Sequence, residues 1–323
     1  MTERHSTMPQ SDTQQSPATD IPASQHTQNQ SCVRIAHLSD PHLPPPPVPW
    51  SQAFNKRGLS LLSWHKHRRH VHQAPLCDAL VQDIARTEVD AIMVSGDLTN
   101  FGTPAEFTKA AQWLAALPAP AFVIPGNHDA MVRQPEATGR SKWIDWAAPQ
   151  YPYCHELNGV AIIGVNSGVP TLPFMASGRV GKQQRQRLAT LLKRTHDAGL
   201  CRVVMIHHPP CKGLVPWRKA LHDMKAVTDV LRAEGAEIVL HGHSHNATLT
   251  HIPNSTIPLL GVASASLQSA KPHRQACWNE LTITPHAQTA HKHWTITLQR
   301  HWPSFSGPHS GVVESASWER GYK

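Results

Sequence analysis

The sequence predicts an α/β fold, and three features of it carry that expectation. Short apolar runs rich in Val and Ile alternate with stretches whose apolar residues recur at helical spacing. Five of those runs stop abruptly at a cluster of Asp, His or Asn, the position just past a strand's C-terminal end where open α/β sheets hold their ligands. The last third of the chain then changes rhythm into successive strand-like runs, giving a β-rich end.

The elements follow in order. Val33 to Leu38 reads as a strand ending at Ser39-Asp40-Pro41. A Pro-rich loop, Pro44 to Pro49, leads into a basic and aromatic stretch over residues 50–72 that breaks the alternation. Leu76, Leu80, Val81 and Ile84 place one apolar face on a helix from Ala74 to Glu88. Asp90 to Val94 is a buried strand ending at Ser95-Gly96-Asp97. Thr103 and Glu106 have the spacing of a capping box, opening a helix that runs through Leu117. Ala121 to Ile124 is a strand ending at Pro125-Gly126-Asn127-His128-Asp129, and Val160 to Ile163 is another. A polar amphipathic helix covers Gly181 to His196. The strand Arg202–Ile206 ends at His207-His208-Pro209, and a helix is expected over Lys219 to Glu234. The strand Glu237–Leu240 ends at His241-Gly242-His243-Ser244-His245. Ile257–Val262, Trp278–Ile283 and His293–Leu298 complete the strands.

Composition narrows the class. The formal net charge is +8, from 30 Lys and Arg against 22 Asp and Glu, which suits an anionic partner or serves solubility alone. The six cysteines form no C-x-x-C pair and read as reduced, mostly buried thiols. No stretch of about 18 apolar residues offers a spanning helix. Met1 to Ser31 is rich in Ser, Thr, Gln and Pro and lacks the apolar core of a secretory signal, so residues 1–31 are expected to be a disordered tail and the protein cytoplasmic. The folded domain is expected over 32–300, with a C-terminal tail over 301–323.

Taken together, Asp40-Pro-His42, Gly96-Asp97, Gly126-Asn-His-Asp129, His207-His-Pro209 and Gly242-His-Ser-His245 resemble, in order and spacing, the calcineurin-like metallophosphoesterase superfamily. The resemblance covers about residues 33 to 265. It implies a two-sheet αββα sandwich with flanking helices and a dinuclear metal site. On the family pattern, Asp40, His42, Asp97 and His245 hold one metal, and Asp97, Asn127, His207 and His243 hold the other, with Asp97 bridging. Carboxylate, imidazole and amide ligands suit two divalent ions of Mn, Fe or Zn type without choosing among them, and the set is too oxygen-rich for a closed structural zinc site. The resemblance implies hydrolysis of a phosphodiester or pyrophosphate by a metal-activated water, with His128 assisting the leaving group and Asp129 orienting the His128 imidazole. His37, His208 and His241 lie in the same blocks and read first as packed or surface histidines, His208 being the one most able to touch the site.

The substrate stays open between branches of the family. One is the class III cyclic-nucleotide phosphodiesterase type; the other resembles UDP-2,3-diacylglucosamine pyrophosphatases, which act at the membrane. A non-catalytic metal-binding scaffold is a third alternative, which retention of all seven ligand positions argues against. In the insert 50–72, Lys56, Arg57, Lys66, Arg68 and Arg69 surround Phe54, Leu59, Leu61, Leu62 and Trp64. Such an element can contact an anionic membrane peripherally or cap an acyl chain. It can equally present a solvated basic face while its apolar side packs on the core. The partner is therefore a phosphate ester, nucleotide or lipid-linked. Aromatic and basic residues do not interleave elsewhere, so no stable nucleic-acid partner is expected.

Overall fold

Two six-stranded sheets face each other, in the orders β12-β11-β10-β1-β2-β3 and β4-β5-β6-β7-β9-β8. The computed structural model describes residues 32–52, 54–133, 135–286, 293–303 and 311–321; the tail expected over 1–31 lies outside them. The elements run β1 (Val33–Leu38), α1 (Lys56–Ser63), α2 (Arg69–Val71), α3 (Ala74–Thr87), β2 (Ala91–Val94), α4 (Pro104–Ala115) and β3 (Ala121–Val123). They continue with β4 (Tyr153–Leu157), β5 (Val160–Val165), α5 (Lys182–Asp197), β6 (Cys201–Ile206), α6 (Met224–Glu234), β7 (Ile238–His241), β8 (Thr248–His251) and β9 (Pro258–Gly261). The chain closes with β10 (Trp278–His286), β11 (His293–Trp302) and β12 (Gly311–Gly321).

Burial explains the apolar runs. Every residue of β2, β5, β6 and β7 is buried, as expected of strands covered on both faces. One core joins the two sheets through Ile35, Val94, Val203, Met205 and Leu240, and takes in Leu80 and Ile84 of α3 and Phe107 of α4. A second core packs Leu188 and Leu192 of α5 and Val227 and Leu231 of α6 on Val204, Ile206 and Val239. Each such Leu or Ile contributes roughly 1.5–3 kcal/mol of apolar burial. The result is the αββα layering. β1, β2 and β3 run parallel to one another, as do β5, β6, β7 and β9. The C-terminal ends that carry polar clusters therefore gather at one edge of each sheet.

The capping box is present: Glu106 N–H donates to Thr103 Oγ1 at 3.3 Å, and Thr103 N–H to Glu106 Oε2 at 2.9 Å. Glu106 also accepts from the Asn100 N–H at 2.7 Å, so the cap holds the loop that follows β2. Other expectations change. The helix expected from Lys219 begins only at Met224. Trp217–Lys219 forms a separate 3₁₀ turn, and the Asp223 carboxylate accepts from Val180 and Gly181 N–H instead of starting a helix earlier. The tail expected over 301–323 holds the end of β11 and all of β12 instead. Ala316 and Trp318 pack on the core while Ser317 and Glu319 face solvent, an alternation diluted by small and polar residues in the sequence. β4 and β8 were not expected either, because as polar edge strands they lack an apolar run.

The insert is helical: α1 passes through a π-helical turn (Trp64–Arg68) into α2. Its side chains do not divide into an exposed basic side and a packed apolar one: Lys66 and Arg69 are exposed and Leu61 and Trp64 half-buried, but other residues of each kind do the opposite. Arg57 is buried and donates to Phe101 and Gly102 carbonyls at 2.9 and 2.6 Å, and Lys56 reaches Thr171 Oγ1 and the Met175 carbonyl. Trp50, Phe54, Leu59 and Leu62 are exposed instead. Among the cysteines, Cys77, Cys201 and Cys277 are buried, Cys154 and Cys211 are partly so, and Cys32 is exposed. No helix among the described residues is long and apolar enough to cross a membrane.

Candidate metal centre

Each predicted block sits where its strand ends, and the two sheets bring the blocks together. Asp40 and His42 follow β1, Asp97 follows β2, Asn127 follows β3, His207 follows β6, and His243 and His245 follow β7. Asp40, His42, Asp97, Asn127, His207 and His243 are buried. His207 Nε2 lies 3.4 Å from Asp97 Oδ2 and 3.3 Å from Asn127 Oδ1. On the other side, His245 Nε2 lies 3.0 Å and His42 Nε2 3.9 Å from Asp40 Oδ1. Donor atoms of Asp40, His42 and Asp97 all fall within 4.8 Å of one another. Asp97 is therefore common to both groups. Atoms that each bind one ion at ~2.0–2.2 Å stand ~3–3.5 Å apart, and most of these oxygen and nitrogen spacings fall in that range, so the groups could hold a divalent cation.

The backbone is bent to reach this arrangement. Asp40, His42, Asp97, His243 and His245 all have positive φ, between 42° and 63°. For a non-glycine residue this costs of order 1–3 kcal/mol, and such residues cluster at functional sites. Two glycines make the close approach possible. At Gly96, with φ of 102°, a Cβ would meet Gly126 N and His207 Nδ1 at 2.7 Å; at Gly126 one would meet Asp97 Oδ1 at 2.2 Å.

Electrostatics binds the set. Burial alone would raise Asp97, but His207 and His128 beside it hold it well below the usual carboxylate range. Burial opposes a charge on His207, yet Asp97 raises it to about 9. His207 Nδ1–H donates to the Ser95 carbonyl at 2.7 Å, which turns Nε2 toward Asp97.

His128 and Asp129 separate in role. His128 Nδ1–H donates to the Asn100 carbonyl at 2.7 Å, leaving Nε2 without a hydrogen-bond partner among the described residues. Burial, with the Arg68 cation, pushes His128 down to about 3. Asp129 does not orient that imidazole. Its Oδ2 accepts from the Asp97 and Gly126 N–H groups at 2.8 and 2.9 Å, and its Oδ1 from Thr99 N–H and Thr99 Oγ1–H, both at 2.9 Å. A buried carboxylate thus ties the loop that carries Asp97 to the loop that carries Asn127. Burial and Asp97 push it up to about 7, against donors that favour its ionised form.

The three extra histidines are packed. His37 is held by Ser95 and Asn279, and His241 by the Gly242 carbonyl and Thr248. His208 lies edge-on to His207 and tilted against His243, but its ring nitrogens meet Ser167 Oγ and the Ala176 carbonyl. Two residues that the sequence reading did not place at the centre do reach it. The His72 ring lies 4.5 Å from that of His42. Arg68 Nη2 lies 3.0 Å from His42 Nδ1. Helical phase explains both, since Arg68 and His72 are four residues apart and Arg68 O accepts from His72 N–H at 2.9 Å. The insert reads as basic throughout, and no residue in it marks which cation turns inward.

Residues 33–247 match the family described as calcineurin-like phosphoesterase. The chain belongs to that family. A probable cyclic nucleotide phosphodiesterase of a Synechococcus species is 28% identical over 233 residues, covering 71% of this chain and 86% of that protein. The glycerophosphodiester phosphodiesterase GpdQ of Enterobacter lignolyticus is 29% identical over 187 residues, covering 54% of this chain and 63% of its own. Among solved structures, a dimetal phosphatase from Danio rerio superposes with a TM-score of 0.57 at 13% identity, covering 88% of this chain and 98% of that one, a likeness of fold. The two-sheet α/β architecture is thus the family's. The domain is a phosphoesterase, and its Asp and His groups are ones that could bind the divalent metal such enzymes use.

Proposed function

We propose that the protein hydrolyses a small phosphodiester at a dinuclear centre. Asp40, His42, Asp97 and His245 would hold one ion, and Asp97, Asn127, His207 and His243 the other. The observation that carries this reading is the shared Asp97. Its carboxylate lies within reach of Asp40 and His42 on one side, and its Oδ2 stands 3.4 Å from His207 Nε2 on the other, while Oδ1 accepts from the His128 N–H at 2.7 Å. The names of the relatives, cyclic nucleotide and glycerophosphodiester phosphodiesterases, support a diester.

Two divalent ions, when bound, supply Lewis-acid polarisation of the phosphoryl group and lower the pKa of the attacking water. The chain does the rest. Ser39 Oγ–H at 2.6 Å and His243 N–H at 3.0 Å donate to Asp40 Oδ2, which leaves Oδ1 toward His42 and His245. Asn127 contributes a neutral oxygen, so the site keeps a positive balance for an anion. With its Nδ1–H held by the Asn100 carbonyl, His128 must take up a proton at Nε2 before it can donate to the leaving oxygen, and the negative charge of a bound phosphoryl group favours that uptake against burial and the Arg68 cation. No Ser or Cys belongs to the donor set, and a covalent intermediate is not needed.

A second reading, a lipid-linked pyrophosphate at a membrane surface, draws on one feature. Pro45, Pro46, Trp50, Phe54, Leu62 and Trp64 line an exposed apolar groove of about 760 Å³ beside the insert. The test is a side-by-side assay of the Mn-loaded protein on bis-p-nitrophenyl phosphate, cyclic AMP and UDP-diacylglucosamine. Turnover of the first two supports the diester reading. Turnover of the third alone overturns it.

A further inference from the structure

We infer that Arg68, delivered by the insert helix, binds the phosphoryl oxygens of the substrate. Arg68 belongs to none of the five blocks that build the metal centre, and the inference rests on the phosphoesterase reading of that centre. Its guanidinium projects from the π-helical turn Trp64–Arg68 and stands 5.9 Å from the centre of the Trp64 ring. One Nη lies 3.0 Å from His42 Nδ1 and the other 3.5 Å from His128 Nδ1. The cation thus spans the gap between an expected metal ligand and the histidine expected to face the leaving group. A phosphoryl group bound between the two must pass within reach of it.

The charge of Arg68 is not committed elsewhere. No carboxylate among the described residues pairs with it at ion-pair distance, whereas Arg185 and Arg202 each have one, Asp223 and Glu237. Asp97, Asp40 and Glu106 act on it only at longer range. A half-buried guanidinium facing imidazoles holds donors in a flat fork that matches two phosphoryl oxygens. Its position is fixed from behind. Arg57 fastens one end of the insert to the Phe101 and Gly102 carbonyls. Gln73 N–H donates to the Ser266 carbonyl at 2.7 Å and fastens the other. A π-helical turn in a helix is a frequent mark of a functional position. Here it sets the register that points Arg68 inward while Lys66 and Arg69 stay exposed.

The test uses full-length Mn-loaded protein, inorganic phosphate as the probe, and Arg68→Ala and Arg68→Lys variants. Calorimetric titration reads phosphate affinity, elemental analysis reads metal content, and bis-p-nitrophenyl phosphate separates KM from kcat. Arg68→Ala is expected to weaken phosphate binding tenfold or more with metal content unchanged. Arg68→Lys should recover part of the loss, because a point charge keeps the attraction but not the fork. Added guanidinium ion should restore binding to Arg68→Ala. Unchanged phosphate affinity in Arg68→Ala overturns the inference. So does a fall in metal content that accounts for the loss, since Arg68 would then act through His42. A wild-type protein that binds phosphate through Arg68 yet cleaves none of the three esters would overturn the diester reading and leave Arg68 in place.

Discussion

Replacing Asp129 by Asn tests whether one buried carboxylate holds the two metal-bearing loops together. The side chain keeps its size, but one oxygen becomes an NH₂ donor facing donors. The amide has its best orientation with NH₂ toward Thr99, whose hydroxyl can rotate to accept, while Asp97 and Gly126 N–H keep an oxygen. The Thr99 N–H, now 2.9 Å from Oδ1, is left unpaired in a buried site. An orphaned buried donor costs about 1–3 kcal/mol, and losing the charge from the remaining bonds adds about 1 kcal/mol, giving about 2–4 kcal/mol in all. Unfolding entropy of about 2.1 cal/mol/K per residue, over roughly 280 folded residues, turns this into a fall in Tm of about 3–7 °C. Thr99→Val removes only the hydroxyl and should cost less, about 0.5–1.5 kcal/mol. Thermal denaturation followed by circular dichroism measures both variants. Activity on bis-p-nitrophenyl phosphate, measured well below either midpoint, should fall further in Asp129→Asn than its unfolded fraction explains. An Asp129→Asn midpoint equal to wild type, or a larger fall in Thr99→Val, would refute the reasoning.

Three further outcomes are expected. Asp97→Ala or Asn127→Ala should lower turnover by orders of magnitude in a folded protein with reduced metal content; normal turnover with normal metal would remove the assignment. His128→Ala should keep its metal but slow the reaction by about 10²–10⁴, and a parallel loss of metal would make His128 a ligand instead. Glu237→Ala should destabilise by about 3–5 kcal/mol, because it removes the carboxylate that now pairs with the buried Arg202 guanidinium at 2.8 Å; urea denaturation reads the change, and a midpoint like wild type would show that the pair adds nothing to stability.

The centre was more legible than its surroundings, and the reason is chemical. A strand that ends in Ser-Gly-Asp or Gly-Asn-His-Asp breaks its own apolar run. Five such breaks at one topological position are visible without coordinates. The buried strands were equally plain, since burial on both faces leaves an uninterrupted apolar run. Edge strands β4, β8 and β12 mix polar and small residues and gave no such signal. Asp129 was seen but assigned the wrong partner, because adjacency in sequence suggested His128 while the fold turned the carboxylate back toward backbone N–H groups. The sequence leaves the insert open between a membrane-facing element and a solvated basic face over a packed apolar side, and the second reading misses Arg57 and Arg68 turning inward. Amphipathic spacing shows that a helix has two faces, but which one meets the protein depends on what waits there, and here imidazoles and backbone carbonyls wait for Arg57 and Arg68.

The strand that carries Asp40 and His42 has a late-arriving neighbour. β1 pairs on one side with β2, close in sequence, and on the other with β10, where Val33 meets Ile283. Closing so long a loop makes the pairing slow to find. During synthesis, every residue of the metal set emerges before the strand that completes the sheet beneath half of it. Until Trp278–His286 is made, β1 is an open edge with unpaired backbone groups, the kind of surface that recruits foreign strands. The nascent chain therefore passes through an interval in which its chemistry is written but its scaffold is not yet shut.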